Sequence, residues 1–303
     1  MKSNIINRRN FLAQSGMAAA AALFSPSAFA TLAKPRFKMG LQLYTIREAM
    51  EKDVAGTLKR IASLDYQDVE TYGFDPAGIG YYGRRAKDFH QLLKDNGLTT
   101  ASGHYDLFKY LHSPDDVLLT YVDQCIEGAQ QLDQKYITWP WLAPEDRNID
   151  QFKLLASRLN IIGARVKKAG LGFAYHNHDF EFVDHGGING YQIIMKETDP
   201  DLVKLQMDMY WVVRAAKKQP VEFFRQQPGR FVMWHIKDMD RTTEDYTELG
   251  RGVIDYTKIL PDVNLAGMQY YFLEQGGNFR TGNAMDSITE NADFCKRKLR
   301  KFL

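Results

Sequence analysis

FAYHNHDFEF, residues 173–182, begins as a buried strand and ends in two histidines, an asparagine, an aspartate and two further residues flanking a glutamate. Polar and ionisable groups are costly to bury without partners. A strand that runs from Phe173 into His176 and His178 therefore delivers those side chains to a site. The same arrangement recurs along the chain. Short apolar runs are predicted as strands over Lys38 to Tyr44, Gln67 to Thr71, Leu98 to His104, Tyr136 to Trp141, Leu171 to His178, Val203 to Asp208, Phe231 to Lys237 and Gly267 to Glu274. Between them lie segments with apolar residues at i, i+3 and i+4, such as VAGTLKRIASL, DDVLLTYVDQCIEGAQQL and QFKLLASRLNIIGARVKKAG, which predict helices.

Eight strands alternating with helices, at about 34 residues per unit, predict an α/β fold of one (β/α)8 barrel rather than an open doubly wound sheet. No Gly-rich phosphate fingerprint follows the first strand, which weakens the dinucleotide-binding alternative. The polar residues fall at the C-terminal ends of the strands: Gln42 and Tyr44, Glu70, His104, Trp139 and Trp141, His176 and His178, Asp208, His235 and Lys237, Glu274. That rim is where barrels of this kind carry their sites. The pairs 42/44, 139/141, 176/178 and 235/237 differ by two, so an unbroken strand would aim both members at one side.

His176 or His178, with Asp208, His235 and Glu274, forms a candidate divalent-metal site. Counted from His176, the separations are 32, 27 and 39 residues, each about one strand–helix unit. Mixed imidazole and carboxylate donors suit Mn, Zn, Co or Fe better than Ca, and Mg remains open. Singly, each residue has an ordinary structural explanation: a hydrogen-bonded rim histidine, a helix cap at Asp208, a solvated loop acid at Glu274. Their recurrence at one place in four consecutive units is what favours the metal. Glu70 and His104 are candidates for substrate hydroxyl contacts. Trp139 and Trp141 offer barrel packing or a stacking face for a sugar ring.

The N-terminus reads differently. NRRNFLAQSGMAAAAALFSPSAFA carries Arg8 and Arg9, a short apolar run and the small-x-small triplet Ala28-Phe29-Ala30, which predict a cleavable twin-arginine export signal over 1–30 and a domain over 31–303. The apolar run is short of the roughly 20 residues that span a bilayer, so no stable membrane insertion is expected. Loss of 1–30 removes Lys2, Arg8 and Arg9 from 39 basic residues and none of the 37 acidic ones, leaving a net charge of −1. That balance gives no footprint for nucleic acid. Cys125 and Cys295 lie in separate amphipathic segments and are expected to be free buried thiols.

The motifs MGLQLYTIREAM, YQDVETYGF, LTTASGHYDL, AYHNHDFEF, MDMYW, WHIKDMD, ELGRGVIDYTKIL and LEQGG together resemble the sugar phosphate isomerase/epimerase family of xylose isomerase-like TIM barrels, over essentially all of residues 37–303. The resemblance implies four metal ligands from strands five to eight, commonly Glu, Asp, His and Glu, with the two glutamates moving protons beside a ketose carbonyl. Asp208, His235 and Glu274 match the last three. The first departs, since Tyr175-His176-Asn177-His178 stands where the family commonly has Glu. One histidine would then ligate and the other act as base, taken here as His176 and His178.

These readings together point to a metal-dependent isomerase or epimerase that removes a proton α to the carbonyl of a keto sugar. Glu274 and His178 would serve as the acid/base pair, Lys237 would steady the oxyanion and Arg251 would hold the distal end of the substrate. A His-rich fifth strand also resembles lyases and dehydratases acting on 3-keto glycosides or inososes. A non-catalytic periplasmic sugar-binding barrel is the rival from another class. The expected partner is a small carbohydrate, a homo-oligomer is left open, and the expected location is the periplasm. Replacing Arg8 and Arg9 by Lys is expected to retain the protein in the cytoplasm of an exporting host, as read by cell fractionation; normal export of that variant would remove the twin-arginine reading.

Overall fold

The computed structural model describes residues 36–216 and 218–303. The export signal expected over 1–30 lies outside the described residues. Eight parallel strands close into a barrel: β1 (Met39–Gln42), β2 (Asp68–Thr71), β3 (Thr99–His104), β4 (Tyr136–Trp139), β5 (Gly172–His176), β6 (Lys204–Asp208), β7 (Met233–Ile236) and β8 (Tyr270–Leu273). Each strand pairs with its neighbours in sequence, and β8 pairs with β1, Met39 opposite Tyr271. The expected (β/α)8 barrel is therefore present with all eight strands in their places. No helix among the described residues is long and apolar enough to cross a membrane.

The helices follow from the apolar spacing and from their caps. Helix α1 (Val54–Ser63) starts at Asp53, whose carboxylate accepts from Gly56 N–H at 3.0 Å. Helix α2 (Asp115–Gln131) buries Leu118, Val122, Cys125 and Ala129, and α3 (Ile149–Lys168) buries Phe152, Leu155, Leu159 and Ile162. These i, i+4 and i, i+3 stripes face the outside of the sheet. Asn148 caps α3 by accepting from Gln151 N–H, which satisfies one of the donors a helix start leaves free. Cys125 and Cys295 are both free and buried, as expected from the sequence.

Two layers of different chemistry fill the barrel itself. Ala101, Tyr136, Ala174, Met233 and Phe272 form a small apolar cluster separate from the core under the helices. Above it come Gln42, Glu70, His176, Gln206 and His235, all buried. Closure is tight where β1 meets β8. A Cβ on Gly40 would lie 2.4 Å from the Tyr271 carbonyl oxygen and 2.5 Å from the Phe272 ring, so only glycine fits there.

Several strands stop earlier than the apolar runs suggested. β4 ends at Trp139 because Pro140 has no N–H to give the ladder. β1 gives way after Gln42 to a 3-10 turn over Leu43–Ile46, capped by Gln42 accepting from Tyr44 N–H at 3.1 Å. β8 begins at Tyr270 rather than Gly267, which ends a short helix at φ 78°. The strict two-residue alternation therefore breaks inside the pairs 42/44 and 139/141: Gln42 is buried, whereas Tyr44 is 44% exposed.

At the N-terminal end of the barrel a cavity of about 510 Å³ is bordered by Lys38, Asp68, Thr99, Lys135, Gln269 and Tyr270. It lies at the end opposite the strand termini that carry the histidines. Asp68 is buried there, accepts from Thr99 Oγ1 at 2.8 Å, and burial pushes its carboxyl up to about 6. A raised acid favours folding below its unfolded pKa, and that contribution is lost as pH rises through the folded value. Asp68→Asn, which keeps an acceptor for Thr99, is expected to stabilise the protein by about 1–3 kcal/mol at pH 8 and hardly at pH 4. Melting temperatures of the two proteins at both pH values check this, and equal shifts at pH 4 and 8 would contradict it.

Candidate metal centre

β5 through β8 end side by side, and their registers fix who meets whom. His176 on β5 is opposite Gln206 on β6, and His235 on β7 is opposite both Asp208 on β6 and Phe272 on β8. The result is a cluster of His176, Asp208, His235 and Glu274 whose donor atoms all lie within 4.8 Å of one another. Donors about 2.0–2.2 Å from one ion are at most ~4.4 Å apart, so a small contraction would let all four share a cation. Two observations in the site fit such an ion. The His176 Nδ1 atom is buried without a hydrogen-bond partner, and a buried polar atom left this way calls for an explanation. The donor set, two imidazoles and two carboxylates, suits a transition-series divalent ion or zinc.

His235 is held at both ends. Its Nδ1 lies 2.6 Å from Glu274 Oε2, and its Nε2 lies 2.5 Å from Glu70 Oε2. Burial alone would lower its pKa, but the two carboxylates raise it to about 9, so it is an imidazolium at neutral pH. Nδ1 faces the cluster and Nε2 faces away from it. If an ion takes the Nδ1 position, Glu70 is the carboxylate that orients the ring from behind, an arrangement typical of metal-bound histidine.

Glu70 itself is wholly buried and used up by the protein. Its Oε2 also accepts from Gln42 Nε2 at 2.7 Å, and its Oε1 accepts from Gln206 Nε2 at 2.6 Å. Burial would push this carboxyl up, yet the His104 and His235 rings and these hydrogen bonds carry it down to about 2. Glu70, expected to meet a substrate hydroxyl, is placed in the structure with both oxygens bonded to protein groups and none of its surface exposed. His104 joins the same network, its Nε2 2.8 Å from Gln206 Oε1 and 3.2 Å from Glu70 Oε2, with its ring stacked on His235 at 5.4 Å.

The two histidines of β5 differ. His176 ends the strand, buried, with Nε2 3.6 Å from Asp208 Oδ2. His178 lies just beyond, its ring 4.9 Å from His176, stacked on Phe180 and 5.9 Å from Trp211. Both are neutral: burial and neighbouring charge hold His176 well below its usual value, while burial and then the Lys237 ammonium carry His178 down to about 3. His178 is thus ready to accept a proton by charge state but is a weak base while Lys237 stands beside it. The turn that carries it is pinned by Glu181, which accepts from Tyr175 O–H at 2.7 Å and His178 N–H at 2.8 Å. Burial pushes Glu181 up to about 8.

Lys237 closes the cluster on the outside, its Nζ 2.6 Å from Asp208 Oδ2 and 2.6 Å from Glu274 Oε2. The tryptophans and Arg251 fall elsewhere. Trp139 is fully buried in the core beneath the helices and its indole N–H donates to the Trp141 carbonyl at 2.6 Å, so it has no face for a sugar. Trp141 is half-buried, edge-on to Phe108 and beneath the Arg147 guanidinium. Arg251 is exposed and forks onto Glu290 of the last helix, Nη2 to Oε2 at 2.8 Å.

Sequence reading overlooked Gln206, Asn177 and the bracing by Glu181. Gln206 was available from the period of the strand, since it stands two residues before Asp208 on β6 and shares its side. Asn177 had no such signal. Its side chain accepts from Asp208 N–H at 3.1 Å, a contact between neighbouring strand ends that only the register creates.

The family described as xylose isomerase-like TIM barrel matches residues 58–298. A comparison with curated proteins finds no relative. Among solved structures, a sugar phosphate isomerase/epimerase from Parabacteroides distasonis is similar with a TM-score of 0.75 at 24% identity, covering 88% of this chain and 96% of that one. A probable 3-DHS dehydratase, AsbF, from Bacillus anthracis is similar with a TM-score of 0.67 at 14% identity, covering 86% and 100%. The IOLI protein, solved with a bound zinc atom, is similar with a TM-score of 0.68 at 16% identity, covering 88% and 99%.

Asp208→Ala and His235→Ala are each expected to abolish stoichiometric divalent metal, and Glu70→Gln to weaken it by about 10- to 100-fold, with the barrel still folded. Elemental analysis and metal titration beside circular dichroism check this; full metal content in both alanine variants would mean the ligands lie elsewhere.

Proposed function

From the chain's membership of the xylose isomerase-like TIM barrel family, we propose that it is a metal-dependent isomerase or epimerase of a keto sugar, working by removal of a proton from the carbon beside the carbonyl. The observation that carries this reading is the convergence of four ligating groups, an ammonium and a neutral imidazole at the C-terminal ends of β5 to β8. A divalent ion at His176, Asp208, His235 and Glu274 would supply Lewis acidity to the carbonyl. The zinc of the IOLI protein supports the choice of a divalent ion.

The chain's own groups divide the proton work. Glu274 meets both His235 and Lys237 through Oε2, which leaves Oε1 as the acceptor for the substrate proton. His178, neutral and carried on a braced turn, is the second member of the acid/base pair: it can accept a proton, and only when so protonated can it return one on the other side. Such acid–base catalysis is worth about 10² to 10⁴ in rate. The Lys237 ammonium is a positive charge beside the site for the developing oxyanion, effective because the surroundings exclude water.

A second reading, elimination from a 3-keto glycoside or inosose-like substrate, is favoured by the imidazole at the end of β5, which replaces one member of a two-carboxylate pair. The fold likeness to a probable dehydratase is in keeping with it. Both readings begin with the same proton transfer. The export signal read from residues 1–30 favours a neutral sugar or glycoside in the periplasm.

In deuterated water, the metal-loaded protein is expected to place deuterium at a carbon adjacent to the ketone of its substrate. Glu274→Gln keeps the shape of the side chain and removes the acceptor, so it should suppress exchange by about 10²-fold or more. NMR of a panel of keto sugars reads the exchange. Turnover with every carbon-bound hydrogen retained, or full activity after metal removal, would reject the proposal, and binding without any exchange would identify a sugar-binding barrel instead.

A further inference from the structure

We infer that Lys237 is a displaceable internal cation, which competes with the divalent ion for Asp208 and Glu274 and is released toward the substrate when the ion binds. The inference rests on the metal reading of the cluster. The ammonium lies 2.6 Å from one oxygen of each carboxylate, and these two carboxylates are half of the donor set. A cation that bonds the same oxygens would stand against Nζ, and two like charges at that spacing repel. Ion and ammonium therefore cannot hold these oxygens together.

Three features make the side chain the part that yields. The Lys237 backbone is fastened on both sides of its peptide by one residue, Tyr256, whose hydroxyl accepts from Lys237 N–H at 2.9 Å and donates to the Lys237 carbonyl. The contacts with Asp208 Oδ2 and Glu274 Oε2 are ion pairs to one oxygen of each carboxylate, the kind of contact a point-charge ammonium makes and can give up. The Tyr246 ring already stands 5.7 Å from Nζ, so an aromatic face remains beside the ammonium when the carboxylates are taken. A lysine on a flexible four-carbon stem is suited to such a move, whereas a guanidinium fork is not.

The arrangement couples loading to arming. Before the ion arrives, the ammonium keeps two buried carboxylates from repelling each other. After it arrives, the same charge is free to face an anionic substrate oxygen.

The test is a titration of the full-length wild type, Lys237→Met and Lys237→Arg with Mn²⁺ and Zn²⁺ by calorimetry, with circular dichroism to confirm the fold and Lys237→Gln as a second uncharged variant. The expected result is an affinity at least about tenfold higher in the uncharged variants than in the wild type, and no gain in Lys237→Arg. Metal binding by the uncharged variants alone would support the inference in its strongest form. Wild-type binding with no gain, or a loss, in both uncharged variants would overturn it while leaving the metal site in place. Absence of binding in wild type and uncharged variants alike would overturn the metal reading and this inference with it.

Discussion

The contact on which the rest of this structure turns is the one between His235 and Glu70. An imidazolium with a carboxylate on each nitrogen is stable in a barrel interior only while both charges and their remaining lone pairs are satisfied. Glu70 meets that condition with Gln42 from β1, Gln206 from β6 and His235 from β7, so one carboxylate ties together strands from around the barrel. Removing any member would leave another buried and unpaired, which is costlier than never having the group. The ring orientation that points Nδ1 at the cluster follows from this network.

The layering beneath explains why the network can exist. Tyr136, Ala174, Met233 and Phe272 form an apolar floor in the lumen, shutting water out from below, and the polar layer rests on it. In that low-dielectric setting charges interact strongly over a few ångströms. The depressed Glu70 and the raised His235 express the same pairing from its two sides. The cavity of about 510 Å³ at the opposite end is bordered by Lys38, Lys135 and Asp68.

Much of this was legible in the sequence, and what was not has an identifiable reason. The eight strands announced themselves because a parallel barrel buries both faces of each strand and so writes runs of apolar residues into the chain. His176, Asp208, His235 and Glu274 could be read as one group because they recur at the same place in successive units. Glu70 and Trp139 could not be placed from the sequence for a common cause: a polar or aromatic residue near a strand's end does not say which side of the sheet it faces or whether neighbouring strands consume it. Trp139 alternates with Thr138, whose hydroxyl bonds Ser102 inside the barrel, and it therefore turns outward into the core. Lys237 lies past the end of β7, where alternation no longer applies, and its meeting with both Asp208 and Glu274 depends on a turn fixed by Tyr256.

The departure at β5 then acquires a physical meaning. Glu70, Asp208 and Glu274 bring three negative charges into the pocket, and His235 and Lys237 bring two positive ones, with His176 and His178 neutral. A divalent ion that took the place of the His235 proton would bring this assembly to neutrality with Lys237 still charged. A carboxylate at position 176 would instead leave it negative, and a substrate oxyanion would enter against that charge. The imidazole thus suits a pocket whose work is to hold a negative charge as it forms on oxygen, with Lys237 as the positive charge that remains beside two anionic ligands rather than three. The histidine at the end of β5 and the lysine past the end of β7 are two halves of one electrostatic arrangement.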